Sequence, residues 1–403
     1  MSRRVLHLLS QRPELTGSGI TLDAIVRFAQ TRSWEQHAVV GVPVGDVPSV
    51  GELPPERIHA LRFGEGGDLA FPVPGMSDVM PYASTVFSQM DEAQISAYRE
   101  AWRERLAAVL EAVRPDVIHS HHIWLLSSLV KELAPDIPVV NHCHATGLRQ
   151  LQLTPSLASE VVKGCSANDR FVALHSGHVE QLCDALNVSE DRVDVVGAGF
   201  RDDVFRAPAN ETARPDRIAF VGKLSRAKGV VELLEAFEAV RRARPGVELH
   251  VAGGGSGDEA RDIAAKVEAT AGVVYHGMLK QFELAPLLQT SKVFVLPSYY
   301  EGLPLVLVEA LASGCRLIST ALPGVVEQIA PYVGSAMRLV DLPRIIPPDR
   351  PKEEDLPAFV SRLEAAMHES LDSPSVEKLD LREFTWEAVG ERVERIWLEL
   401  LAS

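Results

Sequence analysis

The sequence predicts an α/β protein built from two doubly wound parallel-sheet domains, on three observations. Short β-branched or aliphatic runs alternate with amphipathic stretches almost from end to end, the signature of strand–helix–strand units with right-handed crossovers. The alternation is interrupted at the polar, aperiodic, proline-bearing stretch "RAPANETARPDR" (206–217), which reads as an interdomain linker. At 403 residues the chain is also long for a single hydrophobic core. The expected layout is a Rossmann-like domain over 1–205, a linker over 206–216, a second Rossmann-like domain over 217–385, and a helix over 386–403 packing across the junction. Ligands in such sheets bind beyond the carboxyl ends of the strands, so two such edges facing a central cleft are expected.

In the first half the predicted strands are "VLHLL" (5–9), "HAVVGV" (37–42), "DVIHSH" (116–121), "PVVNHCH" (138–144), "FVALHS" (171–176) and "VDVVGA" (193–198). The clearest helix covers 92–113, where Ile95, Tyr98, Trp102, Leu106, Val109 and Val113 recur every three to four residues. In the second half the strands are "RIAFVG" (217–222), "VELHVAG" (247–253), "VVYHG" (273–277), "KVFVLPS" (292–298) and "RLIST" (316–320). "TWEAVGERVERIWLELLA" closes the chain as a capped amphipathic helix. The Gly- and Pro-rich region 44–90 reads as long loops, and long ordered loops such as 64–90 are often functional.

A net charge of −15 argues against non-specific binding to nucleic acid or to an anionic membrane. The apolar runs fall short of the roughly 18 residues that a membrane span needs, and "MSRRVLHLLSQRPEL" reads as a first strand, not as a signal peptide. The four cysteines are scattered, with no C-x-x-C pair. That pattern suits a reduced cytoplasm and argues against a zinc knuckle. A homodimer is compatible with the sequence.

Two glutamates, Glu301 and Glu309, sit among aliphatic residues in "YYEGLPLVLVEALASG" (299–314). A buried unpaired carboxylate is costly, so each needs a partner. The stretch reads as a turn at the carboxyl edge of a strand, then a helix starting near Pro304. The first-turn N–H groups near Leu305 and Val306 favour an anion. Taken alone, the pair is more readily a surface glutamate plus a satisfied helix glutamate. "FVGKLSRAKGV" (220–230) adds a strand ending at Gly222, then Lys223 and Lys228, which could converge on one phosphate pair.

Together, "VGKLSRAKG", "VAGGGSG", "YHGMLKQFEL" and "YEGLPLVLVEALASG" resemble, in order and spacing, the motifs of the retaining nucleotide-sugar glycosyltransferases of family 4 (group 1), which have the GT-B fold. The likeness covers about 217–330 well. It is weaker in the first half, where "DRVDVVGAGFRDDVF" (191–205) stands in place of I-P-N-G-V-D-x-x-x-F. The resemblance implies that Glu309 holds the ribose hydroxyls, Glu301 binds the transferred sugar, and Lys223 and Lys228 neutralise the diphosphate. The "HGM" turn, with Gly277 and Met278, would meet the base, and Gly222, Leu303, Leu305 and Val306 would complete the donor site. Gly17 and Gly19 of "LTGSGI" would bring backbone amides to the distal phosphate. His144 of "VVNHCHATGLRQ" fits the family histidine that faces the sugar, with His142 two residues away on the same side of a strand.

"IHSHHIW" (118–124) ends the preceding strand with three more histidines. Two such clusters have the numbers for a tetrahedral metal site. No acidic ligand accompanies them, however, and the family binds its donor without metal, so the expectation is an acceptor pocket anchored by His122, Arg149 and His142. No metal or other cofactor is expected; the nucleotide sugar is a co-substrate. The implied activity is retaining, metal-independent transfer from a UDP- or GDP-sugar to a small polar acceptor. The alternatives are another GT-B enzyme (inverting transferase, phosphorylase or nucleotide-sugar epimerase) or a non-catalytic nucleotide-sugar binder. A dinucleotide oxidoreductase fits less well, because "GGGSG" (253–257) follows the second strand of its domain and lacks the full G-x-G-x-x-G spacing. Departures from the family pattern are Lys223 in place of arginine, "GAG" in place of P-N-G, and Arg316 where proline is common.

Overall fold

A computed structural model describes residues 3–14, 16–208, 214–347, 349–377 and 379–402. The chain forms two compact units, residues 1–198 with 386–403, and residues 199–385. The first division, at Ala198/Gly199, falls upstream of the expected linker, of which residues 209–213 lie outside the described residues, and the second is at Thr385/Trp386.

The first unit holds β1 (Arg4–Leu9), α1 (Gly17–Thr31), β2 (Glu35–Pro43), β3 (Ile58–Phe63), the two-residue strands β4 (Pro74–Gly75) and β5 (Thr85–Val86), α2 (Glu92–Val113), β6 (Val117–His121), α3 (Leu125–Leu133), β7 (Val139–His142), α4 (Thr146–Leu153), α5 (Pro155–Cys165), β8 (Arg170–Ala173), α6 (Ser176–Leu186) and β9 (Val193–Val195). The second holds β10 (Arg217–Val221), α7 (Val230–Ala243), β11 (Glu248–Ala252), α8 (Asp258–Ala269), β12 (Val273–Tyr275), α9 (Gln281–Thr290), β13 (Val293–Leu296), α10 (Leu305–Ala312), β14 (Arg316–Thr320), α11 (Ala330–Val333), β15 (Met337–Val340) and α12 (Leu356–Asp372). The chain ends in α13 (Trp386–Ala402).

The parallel sheets run β3-β2-β1-β6-β7-β8-β9 and β12-β11-β10-β13-β14-β15. Both are doubly wound, and each reverses direction between its first and fourth strands. The crevice for a ligand therefore lies beyond the ends of β1 and β6 in one unit, and of β10 and β13 in the other.

Period-two alternation decides what each face of the first sheet meets. Leu6, Leu8, Ile118 and Val139 point into a core with Tyr98, Trp102, Leu106 and Val109 of α2. Val5, Val117, Val140 and Val172 point the other way, against Ile25 and Ala29 of α1 and Val393, Ile396 and Trp397 of α13. The last helix, expected to span the junction, belongs to the first unit. Gly390 permits this packing, since a Cβ there would collide with the Phe28 ring of α1. The same alternation puts His7, His119, His121 and His142 on the face that α13 covers.

Region 44–90 is more structured than expected. β3 pairs with β2 from Ala38↔Ile58 to Pro43↔Phe63, and Leu69, Val73, Met76, Met80 and Phe87 are buried in the core beneath α2. β15 was likewise not anticipated; only Met337 and Val340 of its four residues are buried, so its hydrophobic signal is short. Arg316 earns its buried place by donating to Pro374 O (2.6 Å) and Ser335 O (2.8 Å). Among the described residues no helix is long and apolar enough to cross a membrane.

Candidate active site

In the second unit, glycine lets three strand ends crowd together. Gly253 has φ +140°, and a Cβ on it would strike the carbonyl oxygen of Gly222. Gly222 N donates to Ala252 O (3.0 Å), Leu224 N to Gly254 O (3.0 Å) and Gly253 N to Gly277 O (2.7 Å). Gly253 of "GGGSG" thus serves close backbone approach, while open space surrounds Gly257. Lys223 leaves this junction half-buried. Gly277 adopts φ +64° and the adjoining Met278 is exposed.

Lys228 ends the short turn Arg226–Lys228, and Gly229 follows with φ +64°. A Cβ at Gly229 would collide with Pro297 O, just past β13, and Tyr299 N donates to Ala227 O (2.9 Å). The turn is thereby docked on the exit of β13, and Lys228 reaches Glu301. Their side chains form an ion pair with only 18% and 16% exposure. Ser298 Oγ donates to Glu301 Oε1 (2.9 Å), and Thr320 Oγ1 fixes Ser298 through its carbonyl (2.6 Å). The Glu301 carboxylate is therefore satisfied by the protein itself.

Glu309, one turn into α10, has a different solution. It is buried, and its Oε1 accepts from Gln281 Nε2 at 3.4 Å. Burial pushes its carboxyl up to about 7, against the weaker opposing pull of Gln281. The protonated native form is thus favoured where the unfolded chain has already ionised. Since the native state then binds more protons than the unfolded one, stability falls as pH rises from about 4.5 to about 7. Glu309→Gln should raise the melting temperature of the unliganded protein at pH 8 and leave it nearly unchanged at pH 4.5. Melts at the two pH values check this.

Pro304 occupies the N-cap position of α10, not its first turn. Leu303 is buried there, and Leu305 and Val306 are half-buried. Gln281 and Ser298 were not singled out in the sequence, because an isolated Gln or Ser carries no pattern; only the fold puts them beside the two glutamates.

At the switch point of the first unit, Gly17 opens α1, exposed and with free space around its Cα. Gly19 differs from expectation. Its N–H is taken by the Thr16 hydroxyl (3.1 Å), and a Cβ on it would strike Pro13 O, so it serves packing and capping. Gln11, just past β1, accepts from Met76 N (3.4 Å) and donates to Ser18 Oγ (2.6 Å) and to His122 Nε2 (3.1 Å). His122 therefore carries its proton on Nδ1, which faces Thr146 Oγ1 at 3.1 Å. His122 has φ +70° and is buried, so its turn swings the ring into this network. His142 is fully buried as well, stacked on the half-buried His144 with centroids 4.5 Å apart and planes 2° apart. Of these two, His144 has the exposed position. Arg149 is half-buried and donates to Ser77 Oγ (3.4 Å) in the 64–90 segment.

Two doubly wound units, one of them with a lysine–glutamate pair and a second, buried glutamate flanking a helix start at its sheet edge, define a glycosyltransferase of the GT-B class. Residues 202–339 match the family described as Glycosyl transferases group 1, and residues 90–204 match Glycosyltransferase Family 4. The chain belongs to these group 1 / family 4 glycosyltransferases. It is 27% identical over 305 residues to a glycogen synthase of Mycobacterium tuberculosis (strain CDC 1551 / Oshkosh), covering 71% of this chain and 69% of that protein. It is 28% identical over 254 residues to a D-inositol 3-phosphate glycosyltransferase of Arthrobacter sp. (strain FB24), covering 57% and 59% respectively, so it spans less than two thirds of that relative. Among solved structures, a sucrose-phosphate synthase from Thermosynechococcus elongatus superposes with TM-score 0.68 at 18% identity over 99% of both chains. An α,α-trehalose-phosphate synthase (UDP-forming) from Burkholderia xenovorans gives 0.69 at 16% identity over 98% of this chain and 100% of the other. At those identities the likeness speaks for the fold.

Proposed function

We propose that this glycosyltransferase moves a sugar from a nucleoside diphosphate, UDP or GDP, to a small polar acceptor, with retention at the anomeric carbon and without a metal ion on the diphosphate. The observation that carries this reading is the ion pair of Lys228 with Glu301 at the carboxyl edge of β10 and β13, next to the start of α10 and the buried Glu309. An ammonium and a helix N-terminus suit a diphosphate, while two carboxylates at the same edge suit the hydroxyls of a sugar and a ribose.

In this mechanism the acceptor O–H attacks the anomeric carbon from the face that the diphosphate leaves. The glycosidic C–O bond breaks, and the acceptor's proton passes to the departing diphosphate. Negative charge grows on the leaving group, and preorganised positive charge aimed there supplies the largest single term. Lys228, Lys223 and the first-turn amides of α10 take that role. Glu301 binds sugar hydroxyls and is not a nucleophile. In the first unit, His144 offers a hydrogen bond to the sugar, and Arg149 suits a carboxylate or phosphate on the acceptor. The name of the D-inositol 3-phosphate relative is in keeping with an anionic acceptor.

Two measurements test the reading. In a thermal-shift panel of nucleotide sugars, the true donor at 100 times its dissociation constant adds about 2.7 kcal/mol of stability. With that donor and an accepted substrate, proton NMR should give the donor's anomeric coupling in the product, at an undiminished rate in EDTA. An inverted anomer, or turnover abolished by chelation, overturns the mechanism. Donor binding without transfer would instead mark a binding protein.

A further inference from the structure

Six histidines gather at the ends of β1, β6 and β7, and three of them, His119, His121 and His142, bring ring nitrogens within 4.8 Å of one another. The spacing resembles a metal-ligand set, yet the hydrogen bonding around it points to a different role. Trp397 Nε1 donates to His119 Nδ1 at 3.1 Å. An indole N–H is only ever a donor, so His119 Nδ1 must hold a lone pair and the proton of the neutral ring sits on Nε2. That Nε2–H faces His142 Nδ1 at 3.3 Å, which must accept in turn, so the proton of His142 also sits on Nε2. Among the described residues that last N–H has no partner. A metal-bound imidazole normally donates its second N–H outward; His119 instead receives one there, and its remaining nitrogen carries a proton, which opposes a cation.

The same chain of donors opposes protonation. A second proton on His119 would meet the Trp397 N–H head-on, and one on His142 would meet the His119 N–H. The titratable neighbours add no compensating charge: His7 from β1, His121 from β6, His122 just past it, His144 beyond β7 and His178 from α6 all face the cluster as imidazoles. Glu394 of α13 is turned to the Trp34 N–H (2.8 Å) and Arg32. Burial drives His119, His121, His142 and His144 in the same direction, well below the usual histidine range. His121 Nδ1 and His144 Nε2, 2.9 Å apart, form a pair whose direction no donor among the described residues fixes.

We propose that Trp397 is a positioning residue: from the last helix it locks His119 and His142 as Nε2-protonated neutral tautomers, so that the imidazole on which His144 stacks stays uncharged across the neutral pH range. This rests on the reading that His144 meets the transferred sugar. The lock itself does not, because ring nitrogens can be observed directly. Long-range ¹H–¹⁵N correlation spectra of the wild type should show His119 and His142 protonated on Nε2 and not titrating between pH 6 and 8. Trp397→Phe keeps a ring against Trp34 and His7 but removes the N–H. It should release the tautomers and raise the acid limb of the kcat/KM profile by about one pH unit, while kcat at pH 8 stays within about threefold.

A wild-type His119 protonated on Nδ1 or charged at pH 7 overturns the lock, and this holds even if the variant fails to fold. A variant with unchanged spectra and an unshifted profile also overturns it. Released tautomers with an unshifted profile refute the link to catalysis. If His144→Ala costs less than threefold in kcat while the wild-type tautomers are as stated, the lock stands and the assigned role of His144 falls.

Discussion

Lys228→Ala is expected to lower kcat by about 10²–10³, the usual loss when one preorganised donor to a developing anion is removed. The structure sharpens this expectation in two ways. Lys228 is held in place before any donor arrives, by its ion pair with Glu301 and by the docking of the Gly229 turn on Pro297. Its charge is therefore aimed and needs no reorganisation during the reaction. Its removal also leaves Glu301 with the Ser298 hydroxyl as a remaining partner (2.9 Å). A carboxylate stripped of its cation at a partly desolvated edge should repel the diphosphate, so KM for the donor rises as well. Adding Glu301→Gln in the Lys228→Ala background should then recover donor KM and any lost stability, but not kcat. Steady-state kinetics on the two single variants and the double variant check all three statements. A loss under threefold for Lys228→Ala removes it from the mechanism.

Gly253→Ala is expected to be the most damaging small substitution at the donor edge. At φ +140° an L side chain is strained, which alone costs about 1–3 kcal/mol. The added methyl also meets a fixed backbone oxygen, that of Gly222, and not the tip of a flexible side chain. Relief would require parting β10 from β11, or breaking the 2.7 Å bond from Gly253 N to Gly277 O. A total of about 3 kcal/mol or more follows, an apparent Tm lower by roughly 6–12 °C for a unit of this size. Gly257→Ala is the control: φ is also positive, +88°, but open space surrounds the site, so only the backbone strain should appear. Thermal melts of the two variants, read with and without donor, separate the effects.

Much of this fold is legible in the sequence because buried parallel strands must be apolar and their crossovers amphipathic. The six positions read as the inner face of 92–113 are the residues α2 buries. β3 was hidden by the Gly- and Pro-rich flanks of "RIHALRF", and its position at the end of the sheet leaves most of its residues half-exposed. The donor-edge motifs were legible for a related reason: glycines and lysines at fixed spacing answer to backbone contact and charge, which are local demands.

What the sequence determined, then, is the alternation of strands and helices, the two-unit plan, and the residue types assembled at each sheet edge. Tertiary structure alone decided who satisfies whom. Glu301 is met by Lys228, 73 residues earlier in the chain, Glu309 by Gln281, and His119 by Trp397, 278 residues later. Burial and hydrogen-bond direction depend on neighbours distant in the chain, and no local pattern encodes which atom of an imidazole or a carboxylate will face them.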